Sequence, residues 1–181
     1  MSKINFRRLS QTMSHALRHA PQEYNLMLDP AGWVAVDDLL VAIRKRRRWP
    51  QLEQSHIEAM MAAASKQRYE LIDGRVRALY GHSVATKIEK TPTVPPEILY
   101  HGTTDGAAES IRREGLRSMR RQYVHLSADT KTATIVGKRR TQQPILLEIR
   151  ALEAHQAGIL FYRENNGIWL AEPIPAKFID G

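Results

Sequence analysis

The stretch "SHALRHAP", residues 14–21, sets His15, Arg18 and His19 within two helical turns of one another, a grouping of cations able to hold an anion. Phe6, Leu9, Met13 and Leu17 recur at three- and four-residue steps, which predicts a helix over about 6–19 with those four residues facing the core. At 100° per residue His15, Arg18 and His19 fall on the opposite side, and Pro21 forbids continuation. Two readings fit: cations at a helix C-terminus complement the dipole, worth roughly 0.3–1 kcal/mol, or they form an anion site. Three further stretches are suited to chemistry: "YHGT" (100–103), "YVHLS" (123–127) and "NGIWL" (166–170). A strand ending in His101-Gly102-Thr103 sets a donor and an acceptor beside a residue without a Cβ, so a flat ligand can approach the backbone. His125 alternates with apolar neighbours and fits a satisfied core histidine equally well.

The elements that must position these residues divide the chain in two. Asp37 reads as the N-cap of "DLLVAIRKRRR", whose run Arg44–Arg48 suits either a solvated helix end or an RNA backbone. Ser55 and Glu58 read as a capping box for "HIEAMMAAASK", and "YNLMLDPAGWVAV" as two extended segments around a turn. "RYELIDGRVRALYG" reads as a hairpin turning at Asp73-Gly74. Helices followed by a hairpin predict a winged-helix-like lobe over 1–90. "TPTVPPE", 91–97, is the linker, with three prolines in seven residues. Residues 98–181 alternate short strands with two helices, "DGAAESIRREGL" ended by Gly115 and "DTKTATIVGKRR" opened by Asp129. The expected class is α+β, the second lobe being mixed α/β.

Composition narrows the partners. The chain has 181 residues, no cysteine and a net charge of +8, so no disulfide or thiolate metal site holds it together and no metal is expected. Residues 1–90 carry 15 basic and 9 acidic side chains, and 91–181 carry 12 and 10. That asymmetry is the footprint of a polyanion binder. No run reaches the ~18–20 apolar residues of a membrane span, and "MSKINFRRLS" lacks a signal peptide's apolar segment. A monomeric cytoplasmic protein with no membrane partner is expected.

The order and spacing of "YHGT", "YVHLS" and "NGIWL" resemble the NAD-binding core of the ADP-ribosyltransferases. That resemblance implies that His101 contacts the nicotinamide ribose and that His125 lies against the nicotinamide. It also implies cofactor-binding roles for Gly102, Thr103, Gly115 and Ser127. The third position of that core is usually Glu; here it is Ile168. A nucleophile that is already an anion needs no general base, only docking and charge neutralisation by arginine forks. From residue 9 to about 170 the stretches "LSQTMSHALRHAP", "GWVAVDDLL", "KQRYEL", "DGRVRALYGHS", "LYHGT", "YVHLSAD", "VGKRR" and "NGIWL" are similar in content and order to the RNA 2′-phosphotransferase family.

The family resemblance implies a two-step reaction with NAD as co-substrate, in the cleft between an N-terminal winged-helix lobe and an ADP-ribosyltransferase-like lobe. An internal RNA 2′-phosphate attacks C1″ of NAD and expels nicotinamide, giving an ADP-ribosylated RNA. The 2″-hydroxyl then attacks that phosphate, releasing 2′-OH RNA and ADP-ribose 1″,2″-cyclic phosphate. The implied catalytic set is Arg18, His19, Arg68 in "KQRYEL" and Arg139 in "VGKRR"; Arg140 adjoins Arg139, which is preferred because it follows "VGK" as the family pattern asks. His82 in "YGHS" recurs in the pattern and is expected to line the cleft. Two rivals remain: an enzyme that ADP-ribosylates terminal phosphates of nucleic acid, and a winged-helix regulator whose second lobe senses a nucleotide.

Overall fold

Residues 6–19 wind as two kinds of helix in succession. In the computed structural model, which describes residues 4–47 and 49–181, α1 (Phe6–Ser14) continues directly into a π-helical turn, His15–His19. Leu9, Met13 and Leu17 are fully buried as the periodicity predicts, but Phe6 at the start of the row is 37% exposed. Asn5 caps the helix by accepting the Arg8 N–H at 3.0 Å. The π turn closes with the Ala20 N–H donating to the His15 carbonyl at 2.9 Å. Pro21 then opens a short 3-10 turn, Pro21–Tyr24.

Downstream, several local expectations shift by a residue or two. Only the second of the two extended segments is a strand, β1 (Trp33–Ala35); Asn25 is left-handed and Leu26–Asp29 form no ladder. Helix α2 (Val36–Arg47) starts before Asp37, so Asp37 sits in its first turn beside Asp38, where a carboxylate suits the dipole but does not cap. Arg48 lies outside the described residues. In α3 (Gln54–Ala62) the cap is Glu53, not Ser55: His56 takes up the Glu53 N–H at 3.1 Å. The physical reason is upstream, where Leu52 is fully buried and its N–H is tied to the Trp49 carbonyl, fixing where the helix can begin.

The hairpin is as read. β2 (Tyr69–Ile72) and β3 (Arg75–Ala78) pair antiparallel from Ile72–Arg75 outward. The two-residue turn holds Asp73 at φ 47° and Gly74 at φ 71°, the double positive φ that a hairpin's primed turn demands. With β1 they form a three-stranded sheet, order β1-β3-β2, packed on the helices through Leu39, Ile43, Ile57 and Val76. Fully burying such a side chain contributes roughly 1.5–3 kcal/mol.

The chain divides into two compact units, the first ending at Glu89 and the second running from Lys90 to Gly181. The second is built on a six-stranded antiparallel sheet of order β7-β8-β5-β4-β6-β9. Its strands are β4 (Ile98–Thr103), β5 (Val124–Ser127), β6 (Ile145–Arg150), β7 (Phe161–Arg163), β8 (Ile168–Ala171) and β9 (Ile179–Asp180). Helix α4 (Asp105–Glu114) ends at Gly115, and α5 (Thr130–Gly137) starts at Asp129, whose carboxylate accepts the Thr132 N–H at 2.7 Å. A third helix, α6 (Ala151–Gln156), and the two-residue β9 were not expected from the sequence. The core is drawn from Leu99, Leu126, Leu147, Ile149, Phe161 and Trp169. The architecture is mixed helix and antiparallel sheet throughout, in keeping with the α+β class.

Two neighbouring strands pair very unequally. β4 holds β6 along six residues, Ile98–Arg150 to Thr103–Ile145, but meets β5 in register only at Tyr100–Ser127. Gly102 lies inside β4 and not in a turn, because α5 packs directly on it. A Cβ there would stand 2.1 Å from the Ala133 carbonyl oxygen and 3.3 Å from the Gly137 Cα.

Candidate active site

Four-residue steps along α1 and the π turn generate two neighbouring rows, Phe6-Ser10-Ser14-Arg18 and Arg7-Gln11-His15-His19, and both rows line one cavity of about 720 Å³ in the first unit. In an α-helix such rows drift by about 40° per step, since four residues turn 400°. The π turn winds more gradually, takes back part of that drift and returns Arg18 and His19 to the line of the rows. The opposite wall comes from the end of α3 and the segment leading into β2, which contributes Lys66, Gln67 and Arg68. No acidic side chain is among the cavity's lining residues.

Arg18 is the best-held group at this end. Its Nη2 donates to the Arg68 carbonyl at 3.1 Å, and its guanidinium lies 5.5 Å from the Tyr69 ring centre and 5.3 Å from that of Tyr80. Tyr69 is itself fixed, its hydroxyl donating to the Ser10 carbonyl at 2.6 Å and accepting from Ser14 Oγ at 2.7 Å. Arg18 Nε is buried and has no hydrogen-bond partner among the described residues, and none of their carboxylates pairs with this guanidinium. Burial lowers the Arg18 pKa first, the two tyrosines oppose that, and the Arg68 charge lowers it further. An arginine partly removed from water beside a second arginine has the electrostatics of an anion site.

His19 and Arg68 complete the cluster. His19 Nδ1 lies 2.8 Å from Ser83 Oγ, while the Ser83 N–H donates to the Arg18 carbonyl at 2.8 Å, so one serine steadies both residues of the π turn. Arg68 Nη1 donates to the Lys66 carbonyl at 3.3 Å. His15 shares a 3.3 Å hydrogen bond with the Tyr24 hydroxyl and stacks edge-on against that ring at 5.7 Å. Three of the four sequence-predicted catalytic residues, Arg18, His19 and Arg68, thus line one cavity. Ser83, Tyr69 and Tyr80 were not singled out, although each adjoins or belongs to a quoted motif. Two cations at the basic end of α2 make internal contacts: Arg44 Nε donates to the Leu52 carbonyl at 2.7 Å, and Arg46 pairs with Glu23 over the Tyr24 ring.

In the second unit, His101 and His125 sit where β4 and β5 separate. His101 Nδ1–H donates to the His125 carbonyl at 3.0 Å, which fixes the tautomer and leaves Nε2 as an acceptor. Burial pushes the His101 pKa down, the hydrogen bond opposes this, and the Arg140 charge lowers it again. The imidazole is therefore neutral at pH 7. His125 Nδ1–H donates to the Tyr123 carbonyl at 3.1 Å. Thr103 and Ser127 are buried at the ends of β4 and β5, and buried Ile168 on β8 faces Ser127 in register. Gly115 caps α4 at φ 86°, where a Cβ would stand 2.4 Å from the Ile174 carbonyl oxygen; its neighbours are Ile174, Pro175 and Ala176. Arg139 and Arg140 are both exposed just past α5, and Arg140 is the one whose charge reaches His101. His82 is buried within the first unit, beside Gly32.

The first unit thus carries a cationic end to an acid-free cavity, and the second, by itself, a largely buried histidine where two strands separate. The sequence model of the RNA 2′-phosphotransferase, Tpt1 / KptA family matches residues 5–173, and the chain belongs to that family. A "Probable RNA 2′-phosphotransferase" of Acetivibrio thermocellus is 46% identical over 179 residues, covering 99% of this chain and 98% of the relative. One of the same name from Bacillus thuringiensis subsp. konkukian is 46% identical over 171 residues, covering 94% and 92%. Another from Nostoc punctiforme is 39% identical over 181 residues, covering 99% and 98%. Membership places the chain among phosphotransferase enzymes.

Proposed function

We propose that the chain removes an internal 2′-phosphate from RNA with NAD as co-substrate. The observation that carries this is the pairing of Arg18 with Arg68 at the end of an acid-free cavity. A phosphate dianion held there is positioned by two guanidinium forks, and its charge is stabilised by groups already in place before reaction. NAD supplies an electrophilic C1″ and a neutral leaving group. A phosphate oxygen forms the new bond to C1″ as the bond to nicotinamide breaks, and nicotinamide departs with that electron pair. In the second step O2″ bonds to phosphorus, the phosphorus–O2′ bond breaks, and the proton of the 2″-hydroxyl ends on the RNA 2′-oxygen.

His19 is assigned to contact the phosphate or to carry that proton, since histidine titrates near neutrality. The residues of the second unit fit a nicotinamide riboside. Neutral His101 offers Nε2 to a ribose hydroxyl and puts no charge beside the cationic ring. Ile168, where related transferases carry Glu, leaves no base, and an anionic nucleophile needs none. The first unit's three α-helices and three-stranded sheet suit a winged-helix-like reading, and the second unit's six-stranded sheet, paired only briefly between β4 and β5, suits an ADP-ribosyltransferase-like one.

The test is incubation with NAD and a short RNA bearing one internal 2′-phosphate, followed by chromatography of both products. ADP-ribose 1″,2″-cyclic phosphate with dephosphorylated RNA is the expected result. ADP-ribosylated RNA that never resolves points to the terminal-phosphate transferase instead, and absence of nicotinamide release overturns both. In the same assay Arg139→Ala is expected to lose ~10²–10³ in turnover and Arg140→Ala to retain most of it.

A further inference from the structure

We propose that the cavity of the first unit is a groove for single-stranded RNA, in which the base of a nucleotide flanking the 2′-phosphate stacks on Phe6 while Arg7 meets the backbone. This rests on reading Arg18, His19 and Arg68 as the end that takes the phosphate. From Phe6 to Arg18 the groove follows twelve residues of helix, about 18 Å at ~1.5 Å per residue, longer than a phosphate and its own nucleoside need. Phe6 occupies the first position of the core-facing row, yet it is 37% exposed and lines the cavity.

The part of the facing wall that comes from the end of α3 is apolar, with Met60, Met61, Ala63 and Ala64, and the wall carries no acid. An accessible aromatic ring next to an arginine, at the far end of a groove whose near end is cationic, is the combination by which single-stranded nucleic acid is held. Stacking is sequence-tolerant, and the cations follow the backbone. Charge complementarity decides the occupant: Arg7, Arg18, Lys66 and Arg68 line the groove without one carboxylate among them.

The experiment compares a trinucleotide that carries a 2′-phosphate and flanking 2-aminopurine with a nucleoside 2′-phosphate alone, measuring affinity directly and not through turnover. Phe6→Ala and Phe6→Leu are expected to weaken the trinucleotide roughly 5- to 150-fold and to abolish quenching of the 2-aminopurine. Their affinity for the nucleoside 2′-phosphate stays at the wild-type value. Phe6→Leu keeps apolar bulk and removes the ring, so it separates stacking from packing. Unchanged trinucleotide affinity, or equal weakening of both ligands, overturns the groove. If the Phe6 effect persists but the 2′-phosphate adds nothing to affinity and Arg18→Ala changes nothing, the phosphate end is overturned and the groove stands.

Discussion

Arg18 is kept where water is scarce, and no carboxylate among the described residues offsets its charge. An ion held that way costs folding free energy, which two tyrosine rings and one carbonyl return only in part. Arg18→Met keeps the apolar stem and removes the charge. It is expected to hold or raise the thermal midpoint while turnover falls ~10²–10³, measured by thermal melting beside the product assay. His101 couples stability to pH in the accessible range. Its pKa is below the ordinary 6.5, so as pH falls below about 6.5 the unfolded chain takes up the proton first and stability drops. Above that value the contribution is fully present. Melting curves between pH 7.5 and pH 5 are expected to fall more steeply for the wild type than for His101→Asn, which keeps a donor near the Nδ1 position.

Helix α5 rides on β4 through contact between two glycines. A Cβ at Gly102 meets the Ala133 carbonyl, and one at Gly137 meets Pro144 Cβ at 2.6 Å and the Gly102 carbonyl carbon at 3.2 Å. Backbone cannot rotate away as a side chain does, so Gly102→Ala is expected to cost about 1–3 kcal/mol or more by denaturant unfolding. The sequence suggested ligand space at Gly102, whereas the structure gives the missing Cβ a packing reason, because its partner lies some thirty residues away on another element. Features decided within three or four residues were legible: Asp73-Gly74, the Asp129 cap and the Gly115 stop. The Ser55 cap was not, since buried Leu52 sets where α3 starts, and α6 is too short to show a period. Arg18, His19 and Arg68 could be named individually, but the Tyr69, Tyr80 and Ser83 contacts that hold them come from across the fold.

Taken whole, the molecule carries its excess charge unevenly, and that has a solution signature. If about three or four phosphates are neutralised along the first unit, log affinity for single-stranded RNA falls against log salt with a slope of roughly −2 to −3. Arg7→Gln is expected to reduce that slope by about 0.7, and titrations between 50 and 200 mM salt check it. The π turn bears on how such chains are compared. Its closure from Ala20 back to His15 accommodates one residue more than an α turn of the same span. Loss of a single letter between Ser14 and His19 would let the helix close as an ordinary α turn and leave Leu9 and Met13 buried; four residues at about 100° sweep as far as five in the more gradual π turn, so Arg18 and His19 keep nearly the same direction. A one-residue gap at that place in an alignment is therefore a change of helix type that leaves the direction of the two cations in place.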